Sequence, residues 1–461
     1  MSSERSVSAK EARLTRYQPG SLGELWTISW PLMLASFSGS CMTFIDRAIL
    51  ARYQTEAFVA CSAAQPWFWT IEGVLLAFVI VTEIFIGRFN GSREYKKIGP
   101  AVWQMVIFSF ITEIFLIPIA LNAHYLLANT VQTLALPYLK MLLVTLPFDI
   151  AAFGAIGAFF VGRGDTKKIP IVLFFCCGLN IVLDFWFVFG GFGVPSMGII
   201  GAALATNIAH VFGFLIFLFL FLRKKYREKY AIGSFQWSWN FFKQCIQVGT
   251  PNAMGCFCLM TGWSLCYQLL ALHTSSLMFT AYSIAFTIFN VMFFVMDGMS
   301  KAVGTLCSNF IGAEQPTLMR AVLKQACHLT CFFALLFLFV LLFSKPMIRF
   351  FSSEELFENP AFKKQMFAFL AWYWGIFILD TLRFCAQYFM FALTKTKVVL
   401  IVNVVFCWGL IIIPTYYFVV KLKWNPIIYP QLSCLECFLL LIIFKFWFNK
   451  GTWLQQKKLN V

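Results

Sequence analysis

The sequence predicts an all-α polytopic membrane protein: twelve transmembrane helices in two six-helix lobes related as parallel repeats. Three observations carry that expectation: an apolar composition, twelve apolar runs of membrane-crossing length, and landmarks that recur at a nearly constant spacing. Of 461 residues, 60% are hydrophobic and 12% charged, with a mean hydropathy of +0.77. A soluble domain carries about 25% charged residues and cannot place this much apolar surface.

The expected spans are 22–46, 57–86, 101–121, 138–161, 169–190, 197–222, 241–271, 275–308, 321–343, 365–393, 396–420 and 426–448. About 20 apolar residues cross a ~30 Å hydrocarbon core. The amino-terminal lobe is expected over 22–222, a polar linker over 223–240 and the carboxyl-terminal lobe over 241–448, with tails at 1–21 and 449–461. The first 21 residues hold Arg5, Lys10, Arg13 and Arg16, with no apolar core and no small-residue cleavage site, so the first span is expected to remain a helix.

The net charge of +16 has a membrane explanation rather than a nucleic-acid one. Twelve spans put both termini on one side, and that side holds 25 of the 36 Lys and Arg residues against 9 opposite and 2, Lys301 and Arg383, within spans. The positive-inside rule then places both termini in the cytoplasm, in a cell (inner) membrane. The 15 cysteines, Cys176, Cys177, Cys256 and Cys258 among them, fall on spans or their edges, as packing residues do; disulfides and a zinc site are not expected.

Trp30-Pro31 recurs as Thr250-Pro251 after 220 residues, Phe89-Asn90-Gly91 as Phe310-Ile311-Gly312 after 221, and Thr166-Lys167 as Thr396-Lys397 after 230. Six helices per repeat is even, so both copies enter the membrane in the same direction. Parallel repeats about an axis along the membrane normal are a plan for transporters that rock two halves around a central cavity.

The chemistry gathers between Gly162 and Asn207. After the basic turn Arg163 to Lys168, an apolar run contains Asn180 and Asp184, an i,i+4 pair on one helix face. The next helix opens with Gly198, Gly201, Ala202 and Ala205, small residues that allow close backbone approach, and Thr206 lies on the side of Ala202. A bilayer-embedded aspartate is costly and by default marks an ion, proton or substrate pathway. The other reading of Asp184 is a structural hydrogen-bond acceptor. Asp46, near the expected end of the first helix, reaches a similar depth; on depth alone it could equally be a boundary residue facing headgroups beside Arg47.

This stretch resembles the fifth and sixth helices of the multidrug and toxic compound extrusion (MATE) family of cation-coupled antiporters. The resemblance rests on the G-x-G-D-T turn of Gly162, Gly164, Asp165 and Thr166, the N-x-x-x-D of Asn180 and Asp184, and the P-x-x-G-x-x-G-A-A-x-A-T run from Pro195 to Thr206. It implies an antiporter exporting organic, cationic compounds in exchange for Na⁺ or H⁺. It also implies a cation or proton site at Asp46, Asn180, Asp184 and Thr206. Four oxygen-bearing side chains without a thiolate or imidazole suit a hard ion or a proton. The carboxyl-terminal copy has Leu410 and Pro414 where the first has Asn180 and Asp184, and Cys266 or Tyr267 in place of Asp46. The ion site is therefore expected in the amino-terminal lobe.

Second candidates are Asp149 and its counterpart Asp380, a position the resembled family also favours as acidic. Arg383, one turn beyond Asp380, is expected to pair with it, which weighs against a free cation ligand. The glutamate that some members carry in the seventh helix has no counterpart in PNAMGCFCLM. Asp297 and Lys301 form another i,i+4 pair, read as structural. Glu83 is read as a solvated boundary charge beside Arg88; Glu72 and Glu113 are deeper, as cavity lining or helix-to-helix hydrogen-bonding groups. Trp67, Trp69 and Trp263 are candidates to hold an organic cation by cation–π contact.

One rival reading is a lipid-linked saccharide flippase of the same superfamily, which calls for unpaired basic residues in the cavity; Lys301 and Arg383 each have an acidic partner in reach. Another is an integral-membrane enzyme, but 223–240 and 344–364 are too short for a catalytic domain and lack paired acids with a His or metal cluster. A P-loop is also absent. The expected partners are small organic cations or drugs and the lipid bilayer, with no cofactor beyond the coupling ion and no nucleic acid. The chain is expected to act as a monomer.

Overall fold

A computed structural model describes residues 14–127, 129–191, 193–343, 345, 348–349 and 357–449. The expected tail residues before 14 and after 449, and Ser353 in the connection between the ninth and tenth helices, lie outside the described residues.

Twelve helices long and apolar enough to cross a membrane are present among them. They are α1 (Leu22–Tyr53), α2 (Thr55–Gly91), α3 (Tyr95–Leu121), α4 (Gln132–Gly162), α5 (Lys168–Phe189) and α6 (Gly198–Phe221). The second half comprises α7 (Trp239–His273), α8 (Ser276–Gly312), α9 (Leu318–Leu342), α10 (Pro360–Ala392), α11 (Thr396–Lys421) and α12 (Ile428–Asn449). Several outrun the apolar windows that predict them. The first continues past Asp46 to Tyr53, with Asp46 buried and Ala51, Arg52 and Tyr53 exposed at its end. Side-chain oxygens of Ser21, Ser238, Ser275 and Asn359 accept from orphan backbone N–H groups and fix the starts of α1, α7, α8 and α10.

Two helices are widened locally. The fourth turns π-helical over Ile150–Ile156, immediately after Asp149. The eleventh does so over Cys407–Ile412 and Tyr416–Lys421, on either side of Pro414, whose missing N–H breaks the regular ladder.

The repeat is visible at four helix ends on the face where the termini lie. Helices α2, α4, α8 and α10 each end with a left-handed residue: Arg93 (φ 63°), Gly164 (φ 74°), Glu314 (φ 58°) and Thr394 (φ 58°). Each is followed by the same six-to-one hydrogen bond: Glu94 N–H to Phe89 O, Asp165 to Phe160, Gln315 to Phe310 and Lys395 to Met390, at 2.8–3.0 Å. The packing between halves follows the same symmetry: α1 lies against α8, and its counterpart α7 lies against α2.

At this terminal face the halves lock together through equivalent atoms. A Cβ on Gly91 would stand 2.0 Å from the backbone oxygen of Asn309, and one on Gly312 would stand 2.1 Å from that of Arg88. Arg88 donates to the carbonyl of Ala392, and its counterpart Asn309 donates to the carbonyl of Gly162 at 2.8 Å. Asn90 also donates to Asn309 at 2.8 Å.

Candidate functional site

A cavity of about 310 Å³ lies mainly within the first six helices. Its wall on α2 runs from Gln65 to Glu83, 18 residues, or ~27 Å of depth at 1.5 Å per residue. Four carboxyl side chains line it, Asp46, Glu72, Glu83 and Asp149, together with His210 and Lys301.

Behind one end of the cavity, in the half away from the termini, α1 and α5 place Asp46 and Asp184 side by side. Asp184 and Asn180 are both 0% exposed, and Asp46 is 7% exposed. No protein donor reaches either carboxylate oxygen of Asp184 or Oδ1 of Asp46, and neither polar atom of the Asn180 amide has a partner. Buried polar groups are normally satisfied, so the unpartnered carboxyl pair and amide single this place out as the candidate site.

The neighbouring cation does not neutralise the pair. Arg47 turns away, donating from Nε to Gln65 Oε1 at 2.5 Å with its guanidinium 5.2 Å over the Trp69 ring. Thr206 lines the cavity, but its hydroxyl donates to Ala202 O at 3.0 Å, within its own helix.

A second carboxyl pair lies elsewhere on the cavity wall. Glu72 and Asp149 face each other, and His210 Nε2 stands 3.9 Å from Asp149 Oδ1. Glu72 thus meets both expectations, lining the cavity and facing an acid of the neighbouring helix. Sequence reasoning missed His210; its signal was a histidine one turn after Thr206 on a mostly apolar helix.

Glu83 corrects an expectation. It is 5% exposed rather than solvated, and its Oε1 accepts from Thr305 Oγ1 of α8 at 2.7 Å. Lys301 is held by Asp297 at 2.7 Å, and Asp297 also accepts from Ser36 of α1. Of the three tryptophans, Trp69 lines the cavity, whereas Trp67 and Trp263 do not. Glu113 stands half-buried on α3, away from the cavity.

In the second lobe Asp380 is bound to Arg383, Oδ1 to Nε at 2.6 Å, both buried. Arg383 continues to Gln387 at 3.3 Å, and Gln387 accepts from Asn403 at 3.2 Å. Glu436 of α12, which sequence reasoning passed over, is buried in the same lobe.

Twelve membrane-length helices in two parallel six-helix halves, with an acid-lined cavity mainly in the first, are the frame in which the chain's relatives are found. The MatE family model matches residues 31–186 and 253–417, and the chain belongs to that family. The probable multidrug resistance protein NorM of Thermotoga maritima is 26% identical over 341 residues, 72% of each chain. The multidrug resistance protein NorM of Aliivibrio fischeri is 24% identical over 314 residues, 65% of this chain and 66% of its own. In overall fold the chain is similar to a solved outward-facing multidrug-resistance MATE transporter of the MOP superfamily, with TM-score 0.85 at 18% identity over 97% of this chain and 99% of that one.

Proposed function

We propose that this protein is a multidrug efflux antiporter, exporting organic cations in exchange for Na⁺ or H⁺ by alternating access. The observation that carries the reading is the buried Asp46–Asp184 pair beside Asn180, a set of oxygen and amide groups with no protein partner. Thr206 stands on the cavity wall as a further oxygen. A proton or Na⁺ arriving from the far side satisfies the pair, and a change of shape that separates α1 from α5 releases it. A ligand drives such a change only through its different affinity for the two states, which a poised carboxyl pair supplies.

The cavity offers the substrate Trp69 and four acids against Lys301 and His210. Lys301 is already engaged by Asp297. That balance favours a cation, by charge and by ring contacts of about 0.5–2 kcal/mol each, over the anionic pyrophosphate of a saccharide flippase. Asp149 with Glu72 is a second place on this wall where a proton can reside. Asp380 is assigned to structure, since Arg383 already fills the role of its counter-ion.

Uptake of a fluorescent organic cation into inverted vesicles, with Na⁺ and pH gradients imposed separately, tests the reading and names the ion. Uptake that responds to neither gradient overturns it. The termini are assigned to the cytoplasm and the protein to the cell membrane as a monomer. Reporters active only in the cytoplasm should work after Asn90, Thr166, Arg227 and Lys450 and be silent at Ser353; activity at Ser353 reverses the assignment.

A further inference from the structure

The terminal face carries a second cavity, of about 350 Å³, outside the acid-lined one. Arg93, Arg163, Lys225 and Lys229 line it, with Asp165 as the carboxylate among the described lining residues. Asp165 is already taken, by Lys168, by Arg163 Nη2 at 3.4 Å and by Tyr226 Oη at 3.3 Å. Arg163 is fixed in place: its Nε donates to Phe159 O at 3.0 Å, and its guanidinium lies 3.9 Å from the Phe159 ring centre and 4.6 Å from those of Tyr226 and Tyr230. Both tyrosines are buried, at 6% and 5% exposure, while Lys225 and Lys229 rise exposed from the linker.

The positive-inside rule accounts for cations on this face. It does not account for gathering them around a concave, tyrosine-floored cleft with one arginine held rigid. A fixed guanidinium flanked by exposed ammonium groups suits a phosphate, by directed hydrogen bonds from the arginine and point charges from the lysines.

The cleft is also built from both lobes. Asn90 and Asn309, whose hydrogen bond closes the seam between α2 and α8, both contribute to its wall. It is whole only while that seam is shut.

We propose that this cleft binds a phosphate-bearing anion, an anionic phospholipid headgroup or free phosphate, and that the bound anion holds the terminal face of the two lobes closed. The gating consequence rests on the alternating-access reading above; the binding and the closure are measurable without transport. An anion that fits only the closed seam shifts the population toward it. Anionic lipids draw basic segments at the inner leaflet, so the headgroup is the source present at high local concentration.

The test uses the full chain in membranes of phosphatidylcholine, with or without phosphatidylglycerol, and compares wild type with Lys225→Gln/Lys229→Gln. The substituted lysines are exposed, so folding is not at stake. Native mass spectrometry should show retained phosphatidylglycerol on the wild type, reduced on the order of tenfold in the double variant, since each basic residue near the surface matters by about one decade or less. Hydrogen exchange over residues 88–93 and 309–315 should slow with phosphatidylglycerol in the wild type alone. If inorganic phosphate added to phosphatidylcholine membranes gives that protection instead, free phosphate is the source. Protection by neither, or protection that survives in the double variant, overturns the proposal.

Discussion

Helices α5 and α11 hold equivalent places in the two lobes and have diverged at the same two positions. The first is a continuous α-helix that buries Asn180 and Asp184 without protein partners. The second has Leu410 and Pro414 there and is widened into π turns around the proline. The terminal ends of α2, α4, α8 and α10 show the opposite: the capping hydrogen bonds repeat, and the cross-lobe ones reach equivalent carbonyls from different side chains. The lobes are thus alike where they pack against each other and unlike where one of them buries an acid and an amide. Closure is a backbone property that both copies need; charge at depth is costly and is kept where it does something.

The comparison is broken most severely by removing its central acid. Asp184→Asn should insert and fold normally, because the amide is nearly isosteric with a protonated acid and no salt bridge is lost. Ion-driven efflux should fall to background, and Asp46→Asn should weaken it in the same direction. The measurement is drug efflux under an imposed gradient at matched membrane expression; wild-type pumping by Asp184→Asn would make the residue structural.

In the second lobe the same substitution should act on stability instead. Asp380→Asn strands the buried Arg383 and should cost on the order of 3 kcal/mol, seen as a lower thermal midpoint in detergent. Adding Arg383→Gln should recover much of it. A stable single mutant that cannot transport would return Asp380 to the coupling machinery.

The smallest effect sharpens the symmetric part. Gly91→Ala and Gly312→Ala place a methyl group against the opposite helix backbone, 2.0 and 2.1 Å from a carbonyl oxygen. Overpacking of this kind costs about 1–3 kcal/mol. The two variants should lose closely similar amounts of stability, because the contacts are equivalent under the repeat. A large difference would show that the seam is symmetric in form but not in energy.

Much was legible in the chain itself. Twelve apolar runs fixed the number of helices, because backbone groups in lipid must be satisfied within a helix. Recurring dipeptides at a 220–230 spacing foretold the paired halves, and the i,i+3 spacing of Asp380 and Arg383 foretold their ion pair, since both are local or periodic properties. What the sequence could not decide was which long-range neighbours each acid would have. Asp46 and Asp184 are 138 positions apart, and only the packing of α1 on α5 sets them side by side. Glu83 looked like a boundary charge beside Arg88 until Thr305, from the other lobe, proved to be its partner. Trp67 and Trp69 differ by two positions, yet only Trp69 reaches the cavity, because residues two apart on a helix point in different directions. Charge and periodicity are written along the chain, whereas the burial and partners of each charged group belong to the fold.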